Sequence, residues 1–341
     1  MDVFNIVLVV IGFAFIIFIH ELGHFIFSKL LGFKVEEFAI GFGKPLLQKQ
    51  IGETLYSIRA IPLGGYNKLP DIDNSYVKEP MSLKLYLKRF VVLFAGGAFN
   101  ILSAYLVILM TVFFIGVPTS TPTIKAVHTN VSEYAQMFKE NDEIISVNGK
   151  EINKDMSLLT ESLKTNNLDI VVVRNNENIP IHIEKEENKA IGIEFGTIMK
   201  EVPSDEVVSR ANSGFVNIVN MIFSSFNILA KMPANDMVKS VSGPVGISVM
   251  MFDAQKYIGF GGFCILFAII SVNIGIINLM PIPLMDGGRI LVDTVQFFTR
   301  NLVPEKGIRY IEYTGLACIG LLFTLGLFGD FYRLVMPHLP F

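Results

Sequence analysis

Residues 3–33 of the chain, VFNIVLVVIGFAFIIFIHELGHFIFSKLLGF, place an ionisable cluster inside an apolar run. No charged residue occurs from Val3 to Ile19, and the apolar character resumes after His24. Because a membrane-spanning helix needs about 20 mostly apolar residues, this segment predicts a first transmembrane span. Ionisable side chains are costly at that depth, so the cluster at 20–24 indicates a functional site.

The composition of the whole chain favours a membrane protein. Of its 341 residues, 51% are hydrophobic and 17% are charged, and the net charge is −3. Soluble domains usually contain about 25% charged residues, so this composition excludes an ordinary soluble enzyme, a disordered chain and a coiled coil. The lack of a basic block argues against a nucleic-acid partner. Two cysteines, both in apolar runs, allow neither a disulfide framework nor a cysteine-rich zinc site.

Three further uncharged runs, at 90–117, 257–285 and 313–329, predict three more spans. Residues 29–89 contain 10 Lys+Arg against 6 Asp+Glu, whereas residues 118–256 contain 13 Lys+Arg against 18 Asp+Glu. The positive-inside rule therefore places the first loop in the cytoplasm, and the second loop and both termini outside. We predict a multi-span α-helical membrane protein with four transmembrane helices.

The loop between the first two spans is predicted to form a membrane-associated β-hairpin over residues 35–68. The segments 37–48 and 54–66 are rich in β-forming residues and flank a turn at 50–53. Their apolar residues are dense enough for the hairpin to lie at the membrane surface or dip into it. The alternative is a solvated hairpin that only connects the spans.

The second loop is predicted to contain one extracytoplasmic PDZ-like α+β domain at 119–200. Asp142 to Gly149 resembles the GD-x-I-x-x-V-N-G signature of PDZ domains, with Asn141-Asp142 in place of Gly-Asp. Such a domain would bind an extended peptide by strand addition, or act as a steric plug. Strands are predicted at 122–127, 143–147, 168–174 and 179–183, and a helix at 156–164.

Residues 205–256 are predicted to form an amphipathic helical segment. Apolar residues recur at helical spacing from Phe215 to Leu229, and polar residues occupy another face. Such a helix would lie along the outer membrane face or against the spans.

His20 to His24 forms an H-E-x-x-H motif. Residues four apart share one face of a helix, so both imidazoles can reach one metal ion. Glu21 is rotated away by about 100° and can take a proton from water beside the metal instead of binding it. A catalytic zinc needs a third protein ligand. Asp286 is a candidate, since it follows two prolines that would open the backbone towards a cavity, but it could equally be a helix-end carboxylate near Arg289.

Four motifs together resemble those of the site-2 protease family of intramembrane metalloproteases, in its bacterial regulator-of-sigma branch. They are HELGH at 20–24, FAIGFG at 38–43, IPLGGY at 61–66, and the stretch from Ser271 to Gly288. They occur in the family's order, with a PDZ-like insert between the second and third spans. The resemblance covers essentially the whole chain.

The resemblance implies one zinc ion bound by His20, His24 and Asp286, with Glu21 as the general base. It also implies an edge strand that contacts the substrate and further residues near it, namely Gly64, Gly65, Asn273, Asn278, Pro281 and Pro283. Two departures stand out. Gly96-Gly97 occupies the place of a frequent Gly-Pro, and there is one PDZ-like domain where some members have two.

The sequence thus predicts an intramembrane zinc endopeptidase of the bacterial inner membrane, with its active site towards the cytoplasm. Residues 1–117 and 257–341 would form the two halves of its core. The expected partners are the lipid bilayer, single-span substrates such as anti-sigma factors or signal-peptide remnants, and a peptide at the PDZ-like domain. Two alternatives remain: a membrane metal transporter, which needs ligands on several spans, and a non-catalytic PDZ-containing scaffold, which does not need Glu21.

Overall fold

The structure is a computed structural model that describes residues 3–73, 80–129, 131–186, 189–233, 242–300 and 303–334. The chain divides into two compact units. One comprises Met1–Val112, Ser204–Lys256 and Phe263–Phe341, and the other comprises Phe113–Pro203 and Tyr257–Gly262. The segment 204–256 therefore clusters with the long apolar helices.

Among the described residues, four helices are long and apolar enough to cross a membrane. They are α1 (Val3–Leu31), α3 (Leu83–Phe114), α7 (Phe260–Leu279) and α9 (Glu305–Leu334). Each corresponds to one of the predicted runs, which confirms a membrane-embedded protein. Many of their large apolar side chains are exposed, as expected for surfaces that face lipid.

The helix of the third span is shorter than the uncharged run at 257–285, and it breaks before the two prolines, as predicted. The helix stops at Leu279 instead of continuing to residue 285, because Pro281 and Pro283 lack the N–H groups that a helix requires. The chain then turns, and a new helix α8 (Asp286–Thr299) begins.

In the part of the first unit that the structure describes, three more helices lie in whole or in large part. They are α2 (Pro70–Asp73), α5 (Val207–Lys231) and α6 (Pro244–Ile258). Within the segment 205–256, α5 buries Val207, Ala211 and Ile222 on one face. The start of α6 is fixed to α9, because the backbone N–H of Gly243 donates to Asp330 Oδ1 at 2.9 Å.

The predicted hairpin is a four-segment sheet built from two long strands, β1 (Glu37–Ile51) and β2 (Thr54–Lys68). Residues 45–51 pair with 54–59 as a hairpin. Residues 37–40 also lie beside 55–58, and these two segments run in the same direction. They lie beside 65–68 as well, which run in the opposite direction. The strand β1 can double back because Gly41 and Gly43 both have positive φ, of 88° and 80°. Residues 61–68 consequently form one edge of the sheet.

The second unit contains an antiparallel sheet in the order β7-β6-β4-β3-β8, with β5 paired to β4. Its strands are β3 (Val117–Val127), β4 (Glu143–Val147), β5 (Lys150–Glu151), β6 (Asn167–Arg174), β7 (Glu177–Glu184) and β8 (Ile193–Lys200). A helix α4 (Met156–Ser162) lies between β5 and β6 along the chain, and Leu159, Leu168 and Ile170 share one apolar core. The four predicted strands and the helix are confirmed, whereas β5 and β8 were missed. The assignment of this domain as PDZ-like stays a prediction.

Candidate metal centre

Three side chains from two distant parts of the chain meet in the first unit. His20 and His24 are one turn apart on α1, and Asp286 is the first residue of α8. The Nε2 atoms of the two histidines are 3.2 Å apart. Asp286 Oδ2 lies 3.3 Å from Nε2 of His20 and 3.2 Å from Nε2 of His24.

This triangle has the dimensions of a zinc site. Zinc–ligand bonds of about 2.0–2.1 Å in a tetrahedron place neighbouring ligand atoms about 3.3–3.4 Å apart. Asp286 Oδ2 is buried and has no hydrogen-bond partner among the described residues, which is costly unless a cation is bound there. Among the described residues, these three form the one group of His, Cys, Asp and Glu ligands arranged to hold a metal ion. The donor set of two imidazoles and a carboxylate is suited to zinc.

The orientation of His24 is set from the backbone of α3. Its Nδ1 lies 2.8 Å from the carbonyl oxygen of Val92, in a buried position. An N–H at Nδ1 that donates to this carbonyl leaves Nε2 with a free lone pair, as a metal ligand requires.

Glycines allow the helices around the site to approach closely. A Cβ on Gly96 would lie 2.2 Å from Nε2 of His24 and 2.8 Å from Cε1 of His20. Likewise, a Cβ on Gly23 would lie 2.5 Å from the carbonyl oxygen of Ala95. The backbone of α3 therefore forms one wall of the imidazole site, and only glycine fits at residue 96. This gives a physical reason for the first glycine of the Gly96-Gly97 pair.

Asp286 reaches the imidazoles through the turn at residues 280–285. Leu284 has φ of 73°, a strained value for a residue other than glycine. A Cβ on Gly287 would lie 2.2 Å from the carbonyl oxygen of Leu279, and one on Gly288 would lie 2.1 Å from that of Ile282. The two glycines after Asp286 are therefore needed for α8 to start so close to the end of α7.

Asp286 does not end the helix of the third span, because it is the first residue of α8. The alternative of a helix-end carboxylate paired with Arg289 is not the observed arrangement. Arg289 contacts Asp73 at 3.5 Å, while Asp286 contacts the imidazoles.

A buried ion pair that the sequence analysis missed connects α8 to α3. Nε of Arg89 donates to Oδ2 of Asp293 at 2.8 Å, and Nη2 donates to Oδ1 at 3.1 Å. The guanidinium also donates to the carbonyl oxygens of Asp71 and Ile72 in α2. Both charged side chains are 2% exposed. The charged residues in these helices are visible in the sequence and could have suggested an ion pair. One sequence cannot show, however, that two residues 204 positions apart are partners.

Glu21 lies beside the two histidines in a cleft of about 210 Å³ that Tyr66, Asn67 and Leu284 also line. Its carboxylate contacts Asn67, whose Nδ2 donates to Glu21 Oε2 at 2.8 Å. Asn67 was not predicted from the sequence as a site residue. A carboxylate placed in a cleft beside a metal triangle, without belonging to it, can exchange protons with water.

The six residues implied as substrate contacts do not share one position. Gly65 is beside Glu21, since a Cβ there would lie 3.3 Å from Glu21 Cγ, and Gly64 packs against Phe42. Asn273 and Asn278 lie on α7, and neither belongs to the described lining of the cleft. Pro281 and Pro283 line a separate apolar cavity of about 140 Å³ between the turn and α8 and α9. For all six residues, contact with the substrate stays a prediction.

Comparison with known proteins finds relatives across most of the chain. Residues 8–322 match the model of peptidase family M50. A protein of Fusobacterium nucleatum is 34% identical over 299 residues, which cover 84% of this chain and 86% of the relative. One of Campylobacter jejuni is 30% identical, covering 94% and 92%, and one of Clostridium acetobutylicum is 31% identical, covering 94% and 96%. All three bear the name "putative zinc metalloprotease".

Proposed function

We infer that this chain, which belongs to peptidase family M50 and is a zinc metalloprotease, cleaves single-span membrane proteins within or close to the bilayer. The observation that carries the inference is the triangle of His20, His24 and Asp286, with Glu21 beside it. It lies in a protein whose described residues include four apolar helices of spanning length. A costly ionisable cluster at membrane depth indicates function rather than packing.

In this proposal the two histidines and Asp286 hold the zinc ion. When bound, zinc supplies a Lewis acid that polarises the carbonyl under attack. Glu21 takes the proton of the attacking water and returns it to the leaving amine. Water would reach these groups through the cleft that contains them, as hydrolysis requires.

A substrate helix must unwind before its peptide bond can be cut, because its backbone groups are already paired within the helix. We propose that the unwound segment pairs with the edge formed by residues 61–68. Gly65 brings this edge next to Glu21. Asn278, close to the end of α7, would satisfy further backbone groups of the substrate, since its amide offers both a donor and an acceptor.

The proposed topology has four spans, both termini and the PDZ-like domain outside, and water reaching the metal from the cytoplasm. The PDZ-like domain would screen substrates by size or by peptide binding. Anti-sigma factors and signal-peptide remnants fit such a site, since both present a single apolar helix. A metal transporter is disfavoured, because the described residues hold one metal-ligand group instead of a series along a path.

The test is cleavage of a panel of single-span peptides by the purified protein, compared with Glu21→Gln. Glutamine keeps the shape of the side chain but cannot accept the proton, so cleavage should fall by a factor of about 10²–10⁴ or more. Bound zinc should stay near one ion per chain in both proteins. Full activity of Glu21→Gln would refute the role of Glu21. A wild-type protein that binds zinc and cleaves nothing would refute the proposed function.

A further inference from the structure

Asn67 contacts Glu21 through both hydrogens of one amide group. Its Nδ2 donates to the backbone carbonyl oxygen of Glu21 at 2.6 Å and to Glu21 Oε2 at 2.8 Å. The side chain of Asn67 thus hydrogen-bonds to both the backbone and the carboxylate of Glu21.

This double contact restricts the direction of the carboxylate. A glutamate side chain rotates about several bonds and is flexible when nothing holds it. The planar amide has two donors in fixed directions. With one donor anchored on the carbonyl of a rigid helix, the other fixes Oε2 relative to α1. The backbone of Gly65 restricts the Glu21 side chain from another side, since a Cβ at Gly65 would lie 3.3 Å from Glu21 Cγ.

Asn67 also belongs to the edge of the sheet. It lies in the outer segment 61–68, and it pairs with Phe38 on the inner side. Among the described residues, no strand pairs with the opposite side of this segment. The remaining polar atom of the amide, Oδ1, is buried in the cleft wall with no described hydrogen-bond partner. The same residue therefore links the strand beside the cleft to the carboxylate inside it.

We propose that Asn67 is a positioning residue that holds the Glu21 carboxylate in its productive direction. The inference rests on the proposed function of Glu21. A substrate that adds to the edge at 61–68 would then meet a base whose direction is set by that same strand. Proton transfer depends steeply on such geometry, because acid–base groups must lie within hydrogen-bond reach of the proton they move.

The first test is a steady-state comparison of Asn67→Ala, Asn67→Asp and Asn67→Gln with the wild type. Asn67→Asp keeps the size but replaces both donors with a carboxylate that repels Glu21, so it should be the most impaired. We expect kcat to fall at least tenfold in Asn67→Ala and further in Asn67→Asp, with KM changed less than twofold. Asn67→Gln should recover part of kcat, because the amide is retained.

Gln50→Ala is the matched control. Gln50 is an exposed amide in the tip of the same sheet, and it donates to the carbonyl oxygen of Gly52. Its kcat, zinc content and melting temperature should equal those of the wild type. If the Asn67 variants raise KM and leave kcat unchanged, Asn67 binds substrate instead. If kcat falls only together with zinc content or melting temperature, the role is structural, and either result overturns the proposal.

The second test does not depend on activity. In protein labelled with ¹⁵N-asparagine, the side-chain amide signal of Asn67 is assigned by its loss in Asn67→Gln. Glu21→Ala should shift this signal, because one of its two hydrogen bonds disappears, and Gln50→Ala should leave it in place. An unchanged signal in Glu21→Ala would refute the contact. This result stands even if no peptide is cleaved, so failure of the positioning role and failure of the proposed function can be told apart.

Discussion

Breaking the buried ion pair between Arg89 and Asp293 should loosen the metal site from a distance. Asp293 lies seven residues after Asp286 on α8, which is about two helical turns, so both lie on one side of that helix. The guanidinium of Arg89 connects this side to α3 and to the carbonyls of α2. Asp293→Asn would remove the counter-charge of Arg89 without changing the size of the side chain.

The size of the effect follows from burial. Both partners are 2% exposed, and breaking such a pair typically costs about 3–5 kcal/mol because one charge is left buried and unpaired. Burial raises the pKa of Asp293 above its ordinary value even with Arg89 beside it. Desolvation therefore outweighs the attraction between the partners. The intact pair should accordingly add little net stability over an apolar pair of similar size.

The assay is a comparison of unfolding free energies in detergent, together with zinc retention against a chelator. Asp293→Asn should lose about 3–5 kcal/mol of stability and release zinc faster. The double variant Arg89→Met, Asp293→Leu should recover most of the stability. Glu305→Gln is the control, since its partner Arg309 is exposed and little change is expected. The proposed role of the ion pair is refuted if Asp293→Asn loses no more unfolding free energy than Glu305→Gln. It is also refuted if the double variant is as unstable as Asp293→Asn.

Three further predictions concern single positions. Asp286→Asn should retain much less zinc in the purified protein, measured by mass spectrometry, because a neutral amide is a poor zinc ligand; normal zinc content would exclude Asp286 as a ligand. Gly96→Ala should also lose zinc, because the added Cβ would overlap the imidazole of His24. Its control is Gly320→Ala on α9, which should retain zinc because no atom lies within 4 Å of the added Cβ. Asp142→Asn should destabilise the sheet of the second unit at neutral pH. Although burial alone would raise the pKa of Asp142, the hydrogen bonds from Arg174 and the Lys139 backbone hold it below its ordinary value. The stabilisation is thus complete above the unfolded pKa of about 4 and is lost as the pH falls through the folded value. Protection factors for hydrogen exchange in β4 and β6 that do not fall below pH 4 would contradict this.

The long apolar helices and the histidine pair could be predicted because both depend on local spacing. A run without charges is sufficient to identify α1, and a separation of four residues places His20 and His24 on one face. Asp286 was a weaker case. Its spacing left two possibilities open, and the resemblance to a family supplied the choice, because a ligand that arrives through a turn leaves no periodic signal.

Other features depend on contacts between residues that are far apart in the chain. A single sequence does not show which distant residues are in contact. The segments of β1 and β2 look like a simple hairpin when they are judged by composition. The four-segment sheet arises because Gly41 and Gly43 bend β1 through positive φ. The strand β8 was missed because Gly196 interrupts its apolar pattern, and its pairing with β3 stabilises it from a distance.

The positions of the three proposed ligands depend on their helices in different ways. His20 and His24 are fixed by α1 itself, and Gly96 allows α3 to close over them. Asp286 has no such support from its own span, because α7 has already ended at Leu279. The turn that delivers it contains strained backbone at Leu284, so something beyond the turn must keep α8 in place. The buried ion pair of Asp293 with Arg89 is one described contact that does this, since it anchors α8 to α3, the same helix that borders the imidazoles. The hydrogen bond between Tyr86 and Thr294 joins the same two helices. The helix α3 thus borders the two imidazoles and also anchors the helix that carries Asp286. A loss of zinc after a change two turns away from Asp286 would be the measurable consequence.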